Sequence, residues 1–525
     1  MPQQRRHQKI TKDYLRYRDQ ICEYRVTHET RFHHNHAPTT RSHAAFRRKL
    51  PPHARTVSRA LRNITKLHEP LRSFLHDCFL SSSFRMPRIR LRTSGPFHVF
   101  HPKFAGREVM RRFIHANHPN FGSSTVNVKQ ALIKAACLAV ALGSSAAMAQ
   151  TVVGGGASLP EYLYQSEKTD FPADYSYAVT GSGVGKTSLL TNSPTAFNQA
   201  FTPNRTDTVV HFAGSDSVLS DSEINTFNTN RSASEGGLIQ MPSVGTAVGI
   251  PFKVSGVSSL TLTTNQLCSI FSGKFKKWNE VNVGYPATDI NVAFRSDSSG
   301  TTEIFTRHLA SVCSVASGNS QITFPVTTRY SDVVALMPAA DQARFQGANL
   351  SAGVRDAVDA GTSVIGYLSP DYINTTLAPS SAVATKNLTA AFLRNKNSST
   401  NYQPTAANTT LALNSLALGT DLSKPQSWAP TAADPASGYP ISGLTFLDHV
   451  QCYSNATVQS KILAFLGRHY TYSGVNDNTN RIEGNGFAKL PTAIADSIRN
   501  KLLDNVGGLN LNIGNATACS GKAGR

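Results

Sequence analysis

Residues 127–149 constrain the chain most, because they separate a stretch that offers no fold from one that does. Lys129 and Lys134 form a positive lead, Ala135 to Leu142 an apolar core too short to cross a bilayer, and Ala147-Met148-Ala149 a small-residue cleavage site. The three parts in this order mark a secretory signal peptide, and the mature chain is expected to begin at Gln150. Because Gln150 rather than a cysteine follows the cleavage site, no lipid or other membrane anchor is expected.

The charge balance changes at the same place. The first 149 residues hold 27 of the 52 Lys and Arg, 7 of the 32 Asp and Glu and 13 of the 17 His, which leaves 25 basic and 25 acidic residues beyond them. The net charge of +20 therefore belongs to the extension, and no nucleic-acid partner is expected for the mature chain. Residues 1–126 show no sustained hydrophobic periodicity and are expected to be disordered. A signal peptide works at a chain's N-terminus, so this extension reads as an over-extended translation start, with initiation near Val126 or Met110. The rival is a basic nucleic-acid-binding arm, built on clusters such as Arg47-Arg48-Lys49, which leaves the internal signal unexplained.

Four cysteines fall in the mature part: Cys268, Cys313, Cys452 and Cys519. An even number in an exported chain predicts two disulfides, and although three connectivities are open, pairing neighbours in sequence gives Cys268 with Cys313 and Cys452 with Cys519. No CxxC or Cys/His cluster is present, so neither a metal site nor a cofactor is expected.

The most chemically loaded stretch is Arg295-Ser296-Asp297-Ser298-Ser299-Gly300-Thr301-Thr302-Glu303. Ile304, Phe305, Leu309 and Val312 follow at helical spacing, so a helix from about Thr301 to Val312 is expected. Ser299, Gly300 and Thr301 would then present N–H groups and hydroxyls at its positive end, and Arg295 a guanidinium fork, as an oxyanion requires. The plainer alternative is a serine-rich helix cap beside a surface arginine.

Other turns fit the same chemistry. Thr151-Val152-Val153-Gly154-Gly155-Gly156-Ala157-Ser158-Leu159-Pro160 is a β-prone run into glycines and a helix-opening proline. Thr180-Gly181-Ser182-Gly183-Val184-Gly185-Lys186-Thr187 invites a P-loop reading, but the Walker pattern needs a glycine where Thr180 stands, and a turn offering Ser182 to a smaller anion is the simpler account. Val209 to Phe212 reads as a strand ending in Ala213-Gly214-Ser215-Asp216-Ser217, which aims Asp216 into a cleft or caps a helix from Ser220 to Phe227. Extended segments at 238–241 and 246–252, joined by Pro242-Ser243, suit crossings between domains. A helix is expected from Leu260 to Phe271, a strand from Ile290 to Phe294, a helix from Val354 to Ala360 and a buried strand from Ser363 to Leu368. Leu377 to Pro440 reads as a long polar insertion or loop region. Two amphipathic helices, over Ser460 to Leu466 and Thr492 to Leu503, close the chain. Alternating strands and helices predict an α/β fold in two domains.

Taken together, the four motifs around Ser158, Ser182, Asp216 and Arg295 to Glu303 resemble the phosphate-binding proteins of bacterial phosphate importers, among them the DING proteins, and the related secreted low-molecular-weight alkaline phosphatases. The resemblance covers residues 150–525. It implies a type II periplasmic-binding-protein (Venus-flytrap) fold, each lobe a mixed sheet flanked by helices, with lobe 1 in residues 150–245 and 438–525 and lobe 2 in residues 246–437. It also implies a phosphate shell of Ser158, Leu159 (through its backbone N–H), Ser182 and Asp216 from the first lobe and Arg295, Ser299, Gly300 and Thr301 from the second. Two departures stand out: the Asp-Ile-Asn-Gly start is replaced by Thr151-Val152-Val153-Gly154, and the usual threonine by Ser158, which keeps the hydroxyl.

The expected function is capture of inorganic phosphate by an exported monomer, periplasmic or secreted, with a phosphate ABC importer as the implied partner. The alternative is a secreted alkaline phosphatase acting on phosphomonoesters, for which no catalytic residue stands out in the sequence. Asp216 is informative in either case, because a carboxylate in an anion site repels any ligand that has no proton to share, so it would select hydrogen phosphate over sulfate.

Overall fold

The computed structural model describes residues 151–171 and 174–525. The basic extension and the signal peptide lie outside the described residues.

Two five-stranded mixed sheets organise the chain. The first has the order β2-β1-β3-β13-β4, from Val152–Gly156 (β1), Tyr175–Val179 (β2), Phe212–Ser215 (β3), Leu238–Ala247 (β4) and Ser442–Val450 (β13). β1 runs parallel to β2 and β3, and β13 antiparallel to β3 and β4. The second has the order β10-β5-β9-β7-β8, from Pro251–Val254 (β5), Asn291–Arg295 (β7), Phe345–Ala348 (β8), Ser363–Gly366 (β9) and Thr389–Ala390 (β10). A three-stranded sheet joins Phe392–Arg394 (β11), Asn401–Tyr402 (β12) and Thr261–Leu262 (β6). Separate apolar cores support the two large sheets, one around Met241, Leu447 and Leu466, the other around Phe271, Trp278, Phe305 and Ile365.

Helices cover the sheets: Glu161–Lys168 (α1), Ser182–Thr191 (α2), Asp221–Asn230 (α3), Thr264–Phe271 (α4), Gly300–Val312 (α5), Leu350–Ala360 (α6), Ala406–Leu413 (α7), Ala456–His469 (α8) and Thr492–Ile498 (α9), with shorter helical turns between them. The disulfides Cys268–Cys313 and Cys452–Cys519 form as sequence order predicts. The first ties α4 to the end of α5.

The structure differs from the sequence reading at several places. α4 starts at Thr264, because Thr263 forms a capping box with Gln266 and the residues before it pair as β6. α3 is capped by Ser220 in the same way, which frees Asp216 from capping duty. Residues 238–247 run through Pro242-Ser243 as one strand, β4, with Ser243 and Val244 bulged opposite Thr445, so the missing N–H of Pro242 falls where the ladder is already broken, and the second expected segment divides between the end of β4 and the start of β5. The polar stretch after Leu377 is not structureless: it holds β10, β11, β12 and α7, and α7 packs on β4.

The bulge is fixed from beneath by a buried polar bridge. Tyr164 donates to Ser243 Oγ at 2.8 Å, His469 Nε2 lies 3.0 Å from the same oxygen, and His469 Nδ1 lies 2.9 Å from Glu167 Oε1. The order of hydroxyl, imidazole and carboxylate is that of a nucleophile array. Ser243, His469 and Glu167 are each at most 1% exposed, so the array links β4, α8 and α1 rather than meeting a substrate.

Candidate functional site

The site lies where the N-terminal ends of four helices meet. Ser158 and Leu159 end the turn before α1, Ser182 opens α2, Ser299 to Thr301 open α5 and Ser351 stands in the first turn of α6. First-turn N–H groups have no intrahelical acceptor, and the aligned peptide dipoles add positive potential, so four such ends form a strong trap for a small anion.

Arg295, the last residue of β7, brings a full positive charge into this cluster. It is 2% exposed. Asp297 clamps one edge of the guanidinium, accepting from Nε at 2.7 Å and from Nη2 at 2.5 Å. The remaining nitrogen, Nη1, is 3.5 Å from Thr301 Oγ1 and 3.3 Å from Ser351 Oγ, so it faces the helix ends. Asp297 Oδ1 also accepts from Leu350 N at 3.0 Å, at a residue whose φ of 59° is left-handed and unfavourable for leucine. The same carboxylate therefore orients Arg295 and holds the start of α6.

The hydroxyls join the two sheets' residues. Ser158 Oγ is 2.8 Å from Ser351 Oγ and accepts from Ser351 N at 3.2 Å. Ser182 Oγ accepts from Gly300 N at 3.0 Å and from Asp216 N at 3.2 Å. Ser299 Oγ caps α5 by accepting from Thr302 N at 3.2 Å. Gly183 N donates to Ser298 O at 3.1 Å. Glycine makes this approach possible: at Gly181, with φ of 86°, a Cβ would lie 2.5 Å from Asp297 Oδ2, and at Gly300 a Cβ would lie 2.3 Å from the Asp216 carbonyl carbon.

Asp216 is the second carboxyl group of the cluster. Its Oδ2 accepts from Thr301 Oγ1 at 3.3 Å, while Oδ1 is buried with no hydrogen-bond partner among the described residues. Burial pushes its carboxyl up to about 7, against the opposing pull of the Arg295 guanidinium and of hydrogen bonds from Thr301 and Ser182. An unpartnered buried carboxyl oxygen beside a cationic shell is a proton-sharing position: ionised it accepts a ligand's proton, and neutral it donates one.

The structure brings all eight residues expected from the sequence, Ser158, Leu159, Ser182, Asp216, Arg295, Ser299, Gly300 and Thr301, into this buried neighbourhood. It adds Ser351, which sequence reasoning missed because α6 was expected to start at Val354. The available signal was Asn349, a residue suited to precede a helix, but its side chain makes no cap here and Leu350 occupies an unexpected backbone region. Among the described residues no group of three or more His, Cys, Asp or Glu stands where it could hold a metal ion.

Two sheet-centred α/β halves meeting at a buried cluster of anion donors define a two-lobed ligand-binding protein. The PBP superfamily domain matches residues 143–443, and the chain belongs to that superfamily. It is 37% identical over 400 residues to Alkaline phosphatase L of Pseudomonas aeruginosa strain PAO1, covering 75% of this chain and 99% of that one. It is 34% identical over 383 residues to a phosphate-binding protein from an unknown prokaryotic organism, covering 70% and 98%. The solved structure of PfluDING, a high-affinity periplasmic phosphate-binding protein bound with phosphate, matches with a TM-score of 0.63 and 35% identity over 72% of this chain and 99% of that chain.

Proposed function

We propose that this protein binds inorganic phosphate between its two sheet-centred lobes, with α7 (Ala406–Leu413), expected in the second lobe, packed on β4 of the first, and captures it for uptake or scavenging. The observation that carries the reading is the pairing of Arg295 with Asp216 in one buried shell, 2% and 3% exposed. A dianion leaving water needs donors on every oxygen, and four helix ends with one guanidinium supply them. Asp216 keeps an unpartnered carboxyl oxygen in that shell, and hydrogen phosphate carries the proton it needs. Ser158, Leu159 through its N–H, Ser182, Ser299, Gly300 and Thr301 are the remaining ligands in this reading.

Export, to the periplasm or beyond, accords with the signal sequence and with a relative described as periplasmic. No helix among the described residues is long and apolar enough to cross a membrane. A phosphate importer is the partner this reading implies.

A second reading, hydrolysis of phosphomonoesters, is favoured by the relative named Alkaline phosphatase L, which matches over almost its whole length. One experiment separates the two: labelled phosphate is bound to the chain from Gln150 in excess sulfate while phosphate release from a phosphomonoester is followed in the same sample. Tight sulfate-resistant binding without release supports capture, and release that vanishes in Arg295→Ala supports hydrolysis. Neither binding nor release would refute both.

A further inference from the structure

Outside the anion shell, α1 of one half meets the short helix Pro370–Ile373 of the other. Tyr372 is 1% exposed and belongs to an apolar cluster with Val354 and Val358 of α6, Ala293 of β7 and Ala390 of β10, so it is fixed on the side of the second sheet. Its hydroxyl reaches across and donates at 3.0 Å to Oε2 of Glu161, the first residue of α1. Glu161 Oε1 accepts from Gln165 Nε2 at 2.9 Å, one turn along the same helix, which holds the carboxylate in place. Tyr162 makes the same crossing: its ring meets that of Tyr372 edge-on, centroids 5.7 Å apart, and packs against the same cluster. From α6, the Arg355 guanidinium lies 5.8 Å from the centre of the Tyr372 ring.

The position of this contact relative to the shell is set by the sequence. Glu161 follows Ser158 by three residues and Arg355 follows Ser351 by four, so the contact stands about one helical turn from the place where Ser158 meets Ser351. The hydroxyl pair inside the shell is a poor fixture for a site that is to be filled. A hydroxyl has one proton to donate, and the proton shared between Ser158 Oγ and Ser351 Oγ is one that a bound oxyanion draws to itself. The bond from Tyr372 to Glu161 uses no group of the shell and does not compete with a ligand.

We infer that Tyr372, acting through Glu161, is a positioning residue for the anion shell: it holds the Ser158-Leu159 turn against the start of α6, so that donors from both halves stand ready for one ligand. The inference rests on the phosphate reading given above and adds to it two residues that touch no ligand. Donors already in place need not be ordered by the ligand, and that saving appears as affinity.

The test compares the chain from Gln150 with Tyr372→Phe, Glu161→Ala and the double variant, by equilibrium binding of labelled phosphate and by denaturant unfolding. Tyr372→Phe keeps the ring against Tyr162 and Arg355 and removes only the donor. Each single variant is expected to bind phosphate about five- to tenfold more weakly, and the double variant no more weakly than the worse of the two, because both lose one shared bond. The unfolding curves report that the variants fold. Wild-type affinity in folded Tyr372→Phe would show that the contact only stabilises the fold, and losses that add in the double variant would show that the two residues act separately; either result overturns the inference and leaves the phosphate reading intact. If phosphate fails to bind the wild type, the phosphate reading falls and the inference with it.

Discussion

At the residue scale, Asp216 decides what the shell will accept. Because its carboxyl titrates near 7, sulfate, which has no proton at neutral pH, should compete poorly above that pH and better below it, as Asp216 becomes protonated. Competition of sulfate against labelled phosphate well above and well below pH 7 checks this, and Asp216→Asn should remove most of the difference while weakening phosphate less than it relaxes selectivity. The same shift acts on the unliganded fold. A carboxyl raised from 3.8 to about 7 contributes stability that is present below the lower value and is lost as pH rises through the upper one, so Asp216→Asn should flatten the pH dependence of denaturant unfolding across that window. Gly300 couples affinity to packing. An added Cβ would meet the Asp216 backbone, so Gly300→Ala should cost about 1–3 kcal/mol, the usual cost of overpacking, far more than the helix preference of alanine returns. Denaturant unfolding of the unliganded variant and its phosphate affinity should both fall relative to the wild type.

At the scale of elements, the legibility of the sequence followed how local each signal was. The helix α5 was readable because Ser299, Gly300 and an apolar stripe stand together, and it begins within one residue of the expected start. The turn at Ser182 was readable for the same reason. Ser351 was not, because its place depends on Asp297, which lies 53 residues away from Leu350 in sequence and holds that residue at a backbone angle leucine seldom adopts. Pro242-Ser243 misled in the opposite direction: a local breaker was absorbed by a bulge whose partners, Tyr164 and His469, come from distant helices. The disulfides belong to this scale as well. Cys268–Cys313 closes a separation of 45 residues and Cys452–Cys519 one of 67. On the chain-entropy model each contributes about 4 kcal/mol. Replacing either pair by alanines should lower the denaturant midpoint markedly, while phosphate affinity changes little as long as the protein is folded, because none of the four cysteines is among the shell residues.

At the scale of the whole molecule, the two sheet-centred halves meet around the shell. Contacts between residues of the two large sheets' halves include polar ones at the shell, Ser158 with Ser351, Ser182 with Gly300 and Gly183 with Ser298, and others beyond them, Tyr372 with Glu161 and the edge-on rings of Tyr162 and Tyr372. A ligand that accepts from the shell's donors and shares a proton with Asp216 adds bonds to both halves. Phosphate at a hundred times its dissociation constant should therefore raise unfolding stability by about 2.7 kcal/mol, which thermal or denaturant melts with and without phosphate would show.

Whether phosphate is held in this shell is decided by the equilibrium affinity of the chain from Gln150 for phosphate, compared with Arg295→Ala, with unfolding curves of both. Losing a charged hydrogen-bond donor from a buried anion site should cost about 1.5–3 kcal/mol or more in binding while the variant remains folded. Tight binding in the wild type that weakens to this extent is the predicted result. Equal affinity of the two folded proteins, or no binding by either, would contradict the claim that phosphate is held between these lobes.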